Sequence, residues 1–307
     1  FVVDLDVTDQ DFGPEYLDIL FTKDSNSSRF AAHTGTESTI AAFYPSVSSG
    51  MVDNQLAAAS FSVAGDLDQD GDLDVVCLER NQHTLHYLQN SGTGTFTRTT
   101  PFSLDGSGKY LDHAVITDLD QDGDKDIVLS YFGDGANGGA RMSWLENNGA
   151  GFDSEQQLFS RTAGAGVDID YFAVGDLDGD SYPDLVVAYR GDDSVVWFQN
   201  DRAQNPSFTW KGQVMTSSEG LDAPRSLELV DIDNSGSLDV IISANQNLYL
   251  AINDGAEAVF TTSALTSFTG AGIVAKAVDV TLDGLIDVVY ASSMGAPGVI
   301  VQNATGF

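Results

Sequence analysis

The sequence predicts an all-β fold, a β-propeller of four-stranded antiparallel blades, on three observations. An acidic pattern, Asp-x-Asp-x-Asp-Gly-x-x-Asp, stands without a fault at Asp66–Asp74 (DLDQDGDLD) and Asp118–Asp126 (DLDQDGDKD). Diluted copies begin at Asp4, Asp176, Asp231 and Asp279. The six copies start 62, 52, 58, 55 and 48 residues apart, the period of a somewhat stretched propeller blade. The same order of apolar runs and turns returns around them, giving one domain over 1–307 with units at about 1–58, 59–110, 111–168, 169–223, 224–271 and 272–307.

Each unit is built in one order. An apolar run leads into the first Asp: FSVAGD, HAVITD, YFAVGD, SLELVD, VAKAVD. After the loop comes a β-branched run beginning at the last Asp: DVVCL, DIVLSY, DLVVAY, DVIISA, DVVYA. A third run ends in Asn: LHYLQN, MSWLENN, VVWFQN, LYLAIN, VIVQN. A fourth, more polar segment closes the unit. Runs of four to six β-branched and aromatic residues between Gly, Asn and Asp turns are strands. The first two runs are almost continuously apolar, so both their faces are expected to be buried, while the third alternates more. A β-sandwich with acidic turns is the competing reading; six units with the same loop between the same two strands argue against it. Six blades is the direct count. The chain starts inside a first strand and stops after a third, so seven blades are expected if it is part of a longer protein.

Composition narrows the function classes. The net charge is −33, and Asp outnumbers Glu 38 to 8. Of those Asp, 23 lie in the six loops, so most of the acidity is local ligand chemistry and not a generic solubilising coat. No Lys/Arg cluster offsets it, and such a surface repels nucleic acid and anionic membranes. No apolar run is long enough for a membrane helix. The lone cysteine, Cys77, sits in VVCLE and reads as a small core residue. The chain opens on Phe1 without a signal-peptide pattern, as expected of a mature product or an excised domain. Asn26-Ser27-Ser28 and Asn303-Ala304-Thr305 fit the glycosylation triplet.

Five carboxylates in nine residues repel one another by about 1–3 kcal/mol per neighbouring pair. A chain that repeats this arrangement has a cation to bind. Oxygen ligands on alternate residues with a Gly for the turn suit Ca²⁺, about three to five ions in all. The cages read as Asp66, Asp68, Asp70, Asp74 with the Asp72 carbonyl, and Asp118, Asp120, Asp122, Asp126 with the Asp124 carbonyl. The third is Asp176, Asp178, Asp180, Asp184, with Ser181 in place of the Gly. A hydroxyl replaces one carboxylate in Asp231, Asp233, Ser235, Asp239 (with the Ser237 carbonyl) and in Asp279, Thr281, Asp283, Asp287, which weakens both. In the first copy Asp4 and Asp6 precede an insertion before Asp18, and Asp9 or Asp11 completes the set. The bland reading, acids as mere turn formers, fits one loop better than it fits several. Cages of this kind empty at cytosolic calcium levels, so the expected location is extracellular, either secreted or at the cell surface.

These residues resemble the FG-GAP/VCBS repeat family, the calcium-loop β-propellers that include the integrin α-subunit head. The loop between strands one and two carries the resemblance, together with the turn Trp144-Leu145-Glu146-Asn147-Asn148-Gly149. It spans essentially the whole chain. It implies the fold and calcium binding, often with seven blades, and leaves activity open because such propellers serve many tasks.

Six and five residues before the first loop Asp, successive units place Asp112-His113, Asp170-Tyr171 and Arg225-Ser226. Asp112, His113, Asp170, Tyr171 and Arg225 therefore come from three consecutive blades at one height, a candidate ligand site on the face opposite the loops. The competing reading is channel lining and inter-blade packing. His83 and His86 are expected on the outer-blade surface. Trp144 and Trp197, at equivalent third-strand positions, are expected to pack within blades, with Trp210 the better candidate for an exposed sugar platform. The expected role is a non-catalytic extracellular recognition, adhesion or structural module that binds protein or glycan, or neighbouring domains of a larger surface assembly. The alternatives are a polysaccharide lyase using His113 or Tyr171 beside an Arg-neutralised carboxylate, and a lectin with pockets between blades.

Overall fold

The computed structural model describes residues 6–8, 18–23, 27–31, 59–79, 83–91, 96–103, 109–133, 139–160, 169–201, 206–255, 259–267, 274–291, 297–303 and 306–307. Side chains are described from Phe61 onward, except those of 109, 132, 133 and 170 within the strands. Among these residues no helix is long and apolar enough to cross a membrane.

All the sheets are meanders. β1 (Asp6–Thr8), β2 (Asp18–Lys23) and β3 (Ser27–Ala31) form a three-stranded sheet. β4 (Ala59–Gly65), β5 (Asp74–Glu79), β6 (Thr84–Asn90) and β7 (Phe96–Ser103) form the first of four four-stranded blades. The second is β8 (Lys109–Thr117), β9 (Asp126–Gly133), β10 (Ala140–Leu145) and β11 (Gln156–Ser160). The third is β12 (Ile169–Gly175), β13 (Asp184–Tyr189), β14 (Ser194–Asn200) and β15 (Phe208–Thr216). The fourth is β16 (Ser226–Val230), β17 (Asp239–Ser243), β18 (Asn247–Asn253) and β19 (Phe260–Ser267). β20 (Val274–Val278), β21 (Asp287–Ala291) and β22 (Gly298–Ile300) make a fifth blade of three strands. The acidic loop joins the first two strands in each of these five blades, as the sequence reading expects. Against the six or seven expected blades, five are described with their side chains. The unit at 1–58 falls on β1–β3, and its loop, with Asp4, Asp9 and Asp11, lies outside the described residues.

Burial departs from the expected gradient in one respect. The second strand is the fully buried one, over all of Asp74–Glu79, Asp184–Tyr189 and Asp239–Ser243. The first strand is the edge of its sheet and only half-buried, as in β16. A central strand has partners on both sides and apolar cover on both faces, whereas an edge strand has one neighbour. Fourth strands are largely exposed.

The chain divides into two compact units. One comprises Phe1–Asp118, Asp122–Gly135 and Met142–Gln157; the other comprises Leu119–Gln121, Ala136–Arg141 and Leu158–Phe307. The first has its core where Leu78, Leu85, Leu111, Ile127 and Leu129 interdigitate. In the second, Val186, Trp197, Met215, Leu227 and Ile242 form one cluster and Ile241, Leu250, Ala275 and Val288 another. Blades approach closely just before the loops. A Cβ on Gly65 would lie 2.9 Å from Ile116 Cγ2, and one on Gly175 2.8 Å from Leu238 Cδ1. These two first strands end in Gly because the neighbouring side chain occupies that space.

Candidate functional site

The acidic loops share one hydrogen-bond plan. The first carboxylate accepts the N–H of the sixth residue: Asp66 from Gly71 (3.2 Å), Asp118 from Gly123 (3.1 Å), Asp176 from Ser181 (2.7 Å), Asp231 from Gly236 (2.9 Å) and Asp279 from Gly284 (2.9 Å). The fifth residue accepts from the seventh, as Asp70 does from Asp72 and Asp122 from Asp124, both at 2.9 Å. This winding needs a left-handed sixth residue. Gly71 has φ +93°, and Ser181 holds the same conformation at φ +76°.

The ninth residue also ties the loop to its blade. Asp74, Asp126, Asp184, Asp239 and Asp287 are wholly buried. One oxygen accepts the N–H at the end of the third strand: Asn90 (2.7 Å), Asn147 (2.8 Å), Asn200 (2.9 Å), Asn253 (2.8 Å) and Gln302 (2.9 Å). The other accepts the N–H of the second loop residue, from Leu67 (3.0 Å), Leu177 (3.1 Å), Ile232 (3.0 Å) and Val280 (3.0 Å). Each of these carboxylates clasps its loop onto its own blade. Burial, only partly offset by these backbone bonds, pushes the Asp184 carboxyl up to about 7 and the Asp239 carboxyl to about 6, and raises that of Asp74.

Four loops bring three carboxylates to within 4.8 Å of one another: Asp66, Asp68 and Asp70; Asp118, Asp120 and Asp122; Asp176, Asp178 and Asp184; Asp231, Asp233 and Asp239. In the two faultless loops the Oδ1 atoms of Asp66 and Asp118 are buried without a hydrogen-bond partner. A buried carboxylate oxygen left that way is costly unless a cation sits against it. The all-oxygen donor set, alternate spacing and orphaned oxygens fit a hard cation of the Ca²⁺ class. Asp279, Thr281, Asp283 and Asp287 form no such group among the described residues.

Sequence reasoning missed the side chains that lock one blade to the next. Asn147 Nδ2 donates to its own loop at Lys125 O (3.0 Å) and to the preceding loop at Leu67 O (2.7 Å). Asn253 repeats this with Leu238 O (3.1 Å) and Leu177 O (2.8 Å), and Asn200 with Pro183 O (3.2 Å) and Leu119 O (3.4 Å). In the last blade Gln302, one residue before the Asn303 that ends the run VIVQN, reaches Ile232 O at 3.0 Å. The recurring terminal Asn was the visible signal. Gln89 and Gln199, just before two of these Asn, donate to Asp68 and Asp178.

The other candidate residues fall in both units. Asp112 and His113 belong to the first unit, Tyr171 and Arg225 to the second. The His113 ring is buried edge-on against Phe61, with centroids 4.4 Å apart. Tyr171 packs against the Trp197 cluster, and Arg225 N donates to Ser243 O at 2.7 Å. The Asp170 side chain lies outside the described set. Register shifts flank Asp112, between Leu111 and His113, and Asp170, between Ile169 and Tyr171, so both acids stand at β-bulges. His86 is not on the surface as expected: its ring is buried, 3.0 Å from Glu79 and 2.9 Å from Thr100 Oγ1. His83, at the preceding turn, is half-buried with its ring 5.2 Å from that of Tyr110. Trp144 and Trp197 are buried, and Trp210 is 59% exposed.

The family model described as FG-GAP-like repeat matches residues 66–129, 118–187 and 176–242, together more than half of the chain. No curated protein matches the sequence. Among solved structures, the chain is similar to an Agrocybe aegerita lectin described for specific recognition of non-reducing terminal N-acetylglucosamine. The identity is 20% and the TM-score 0.62, covering 90% of this chain and 71% of that one. It is also similar to the fucose-recognising six-bladed β-propeller lectin of Aleuria aurantia, with 13% identity, TM-score 0.52, and 95% and 85% coverage. A Lactobacillus plantarum protein gives 12% identity, TM-score 0.56, and 95% and 79% coverage. At these identities the likeness shows the β-propeller fold alone.

Proposed function

Because this chain belongs to the FG-GAP-like repeat family, we propose that it is a non-catalytic, calcium-stabilised propeller that recognises glycans outside the cell. The carrying observation is the set of four three-carboxylate clusters, two of them with an orphaned buried oxygen. They support the reading of a scaffold held by Ca²⁺, which would suit calcium-rich surroundings. Each ion binds the folded loop in preference to the unfolded chain and so stabilises the blade. Asp66, Asp68 and Asp70 would hold one ion, Asp118, Asp120 and Asp122 a second, and the groups at Asp176 and Asp231 two more. The carbohydrate part of the reading is supported by the shared fold of two sugar-recognising lectins. β1–β3 is read as a further blade, bringing the count to six, or to seven within a longer protein.

A glycan array probed in millimolar calcium and again in chelator tests this. Glycan binding that disappears with calcium is the expected result. Unchanged binding and unchanged melting in chelator would remove the calcium part; an array without signal, while a protein ligand is captured, would remove the glycan part.

A further inference from the structure

We infer that the third blade carries a binding pocket for a neutral pyranose ring, centred on Trp210; this rests on the glycan reading above. In the second unit a cavity of about 550 Å³ opens over one face of β14 and β15, within the ~300–1,000 Å³ typical of small-molecule sites. Three cross-strand pairs build its floor: Ser194 with Thr216, Val196 with Gln213, and Phe198 with Trp210. Two register shifts in β15, opposite Val195/Val196 and Trp197/Phe198, keep these three pairs on one face. Phe159, from the preceding strand β11, stacks on Phe198 with centroids 4.7 Å apart and planes 24° apart. The result is an aromatic wall at one end and hydroxyl and amide groups at the other.

Trp210 is not a repeat feature. Counting from the Phe opposite the terminal Asn, the equivalent partners are Arg98 in β7 and Thr262 in β19. A 59%-exposed indole on an edge strand does not serve the core, and its counterparts show that the blade does not need it. A flat apolar ring beside Ser194, Gln213 and Thr216 suits a ligand with one C–H face and several hydroxyls, which is a pyranose. Charge selects within that class. Among the described residues Asp192 also lines the cavity and no Lys or Arg does. In a protein of net charge −33, uronates and sulfated sugars are repelled. The Asp192 carboxylate is of the type that accepts from sugar hydroxyls.

The experiment titrates the calcium-loaded protein with methyl glycosides of neutral hexoses and N-acetylhexosamines, with glucuronate, and with tetramethylammonium. Ligand-observed NMR and calorimetry read binding. At least one neutral glycoside is expected to bind, at least about tenfold more weakly to Trp210→Ala. Trp210→Phe is expected to keep part of that loss, and Asp192→Asn to weaken binding. Calcium-dependent melting of each variant reports its fold. Array glycans that bind Trp210→Ala as well as the parent would overturn the pocket and leave glycan recognition standing. Absence of both neutral-glycoside and array binding would remove pocket and glycan reading together. Preferential binding of glucuronate or tetramethylammonium would overturn the ligand class.

Discussion

The loop at Asp66–Asp74 and the loop at Asp279–Asp287 have the same winding and opposite dependence on what lies around them. In the first, Asp68 completes a three-carboxylate cluster, Asp66 Oδ1 is orphaned and Leu67 is buried. The Asn147 side chain of the next blade holds the Leu67 carbonyl. In the last, Thr281 stands where Asp68 did, Val280 is 47% exposed and Leu282 is 87% exposed. Burial pushes the Asp287 carboxyl up, yet the N–H groups of Gln302, Thr281 and Val280 together hold it below its ordinary value. The first loop keeps an unpartnered buried oxygen of the kind a cation would satisfy; the last surrounds its ninth carboxylate with three backbone donors. A loop is thus ordered by its own acids and by the blade that follows it.

The largest effect expected from this contrast is on melting in chelator. Each calcium site at hundredfold excess contributes about 2.7 kcal/mol, so losing several should lower Tm by about 10 °C or more. Asp66→Asn should remove one site's share of the calcium-induced shift, and Asp279→Asn should leave that shift unchanged. Equal losses in calorimetry would erase the distinction. Next comes Asn253→Ala, which strips the donor from two carbonyls, Leu177 O and Leu238 O. The expected cost is about 2–4 kcal/mol in denaturant unfolding, and a cost under about 0.5 kcal/mol would deny the inter-blade lock.

A smaller, pH-dependent effect belongs to the calcium-free protein. The folded-state values of Asp184 and Asp239, about 7 and about 6, lie above the ordinary 3.8. Their stabilisation is therefore complete below pH 4 and is lost as pH rises through 6 to 7. In chelator the Tm should fall between pH 5 and 7.5, and the Asp184→Asn variant should show a flatter slope. Identical slopes would count against a protonated Asp184. The smallest effect is Ser181→Gly, which relieves a left-handed serine and should stabilise by up to about 1 kcal/mol; a destabilised variant would show that Ser181 contributes more than its strain costs.

Most of the scaffold was legible in the sequence because it is repeated. Acid spacing, β-branched second strands and the Asn at the end of each third strand recur, and recurrence separates architecture from accident. What the sequence did not disclose depends on register and burial. Nothing in NQHTLHY shows that His86 turns inward to Glu79. Acid spacing alone does not show that Asp74, Asp184 and Asp239 each also accept two backbone N–H groups and so clasp the loop to its blade. The run VIVQN hid the shift from Asn to Gln at residue 302. The pairing of Phe198 with Trp210, on which the pocket proposed above depends, follows from two bulges in β15 that leave no mark in local composition.

The backward reach of the terminal amide has an evolutionary consequence. Every described unit from Asn147 onward brings the donor for its predecessor's loop, and its own loop offers the matching carbonyl. A gene segment copied in tandem would arrive with both halves of its joint, able to dock at either side without inventing a new interface. Such a design lets the number of units drift while the seams stay constant, and frees each outer edge, like the one bearing Trp210, to diverge alone.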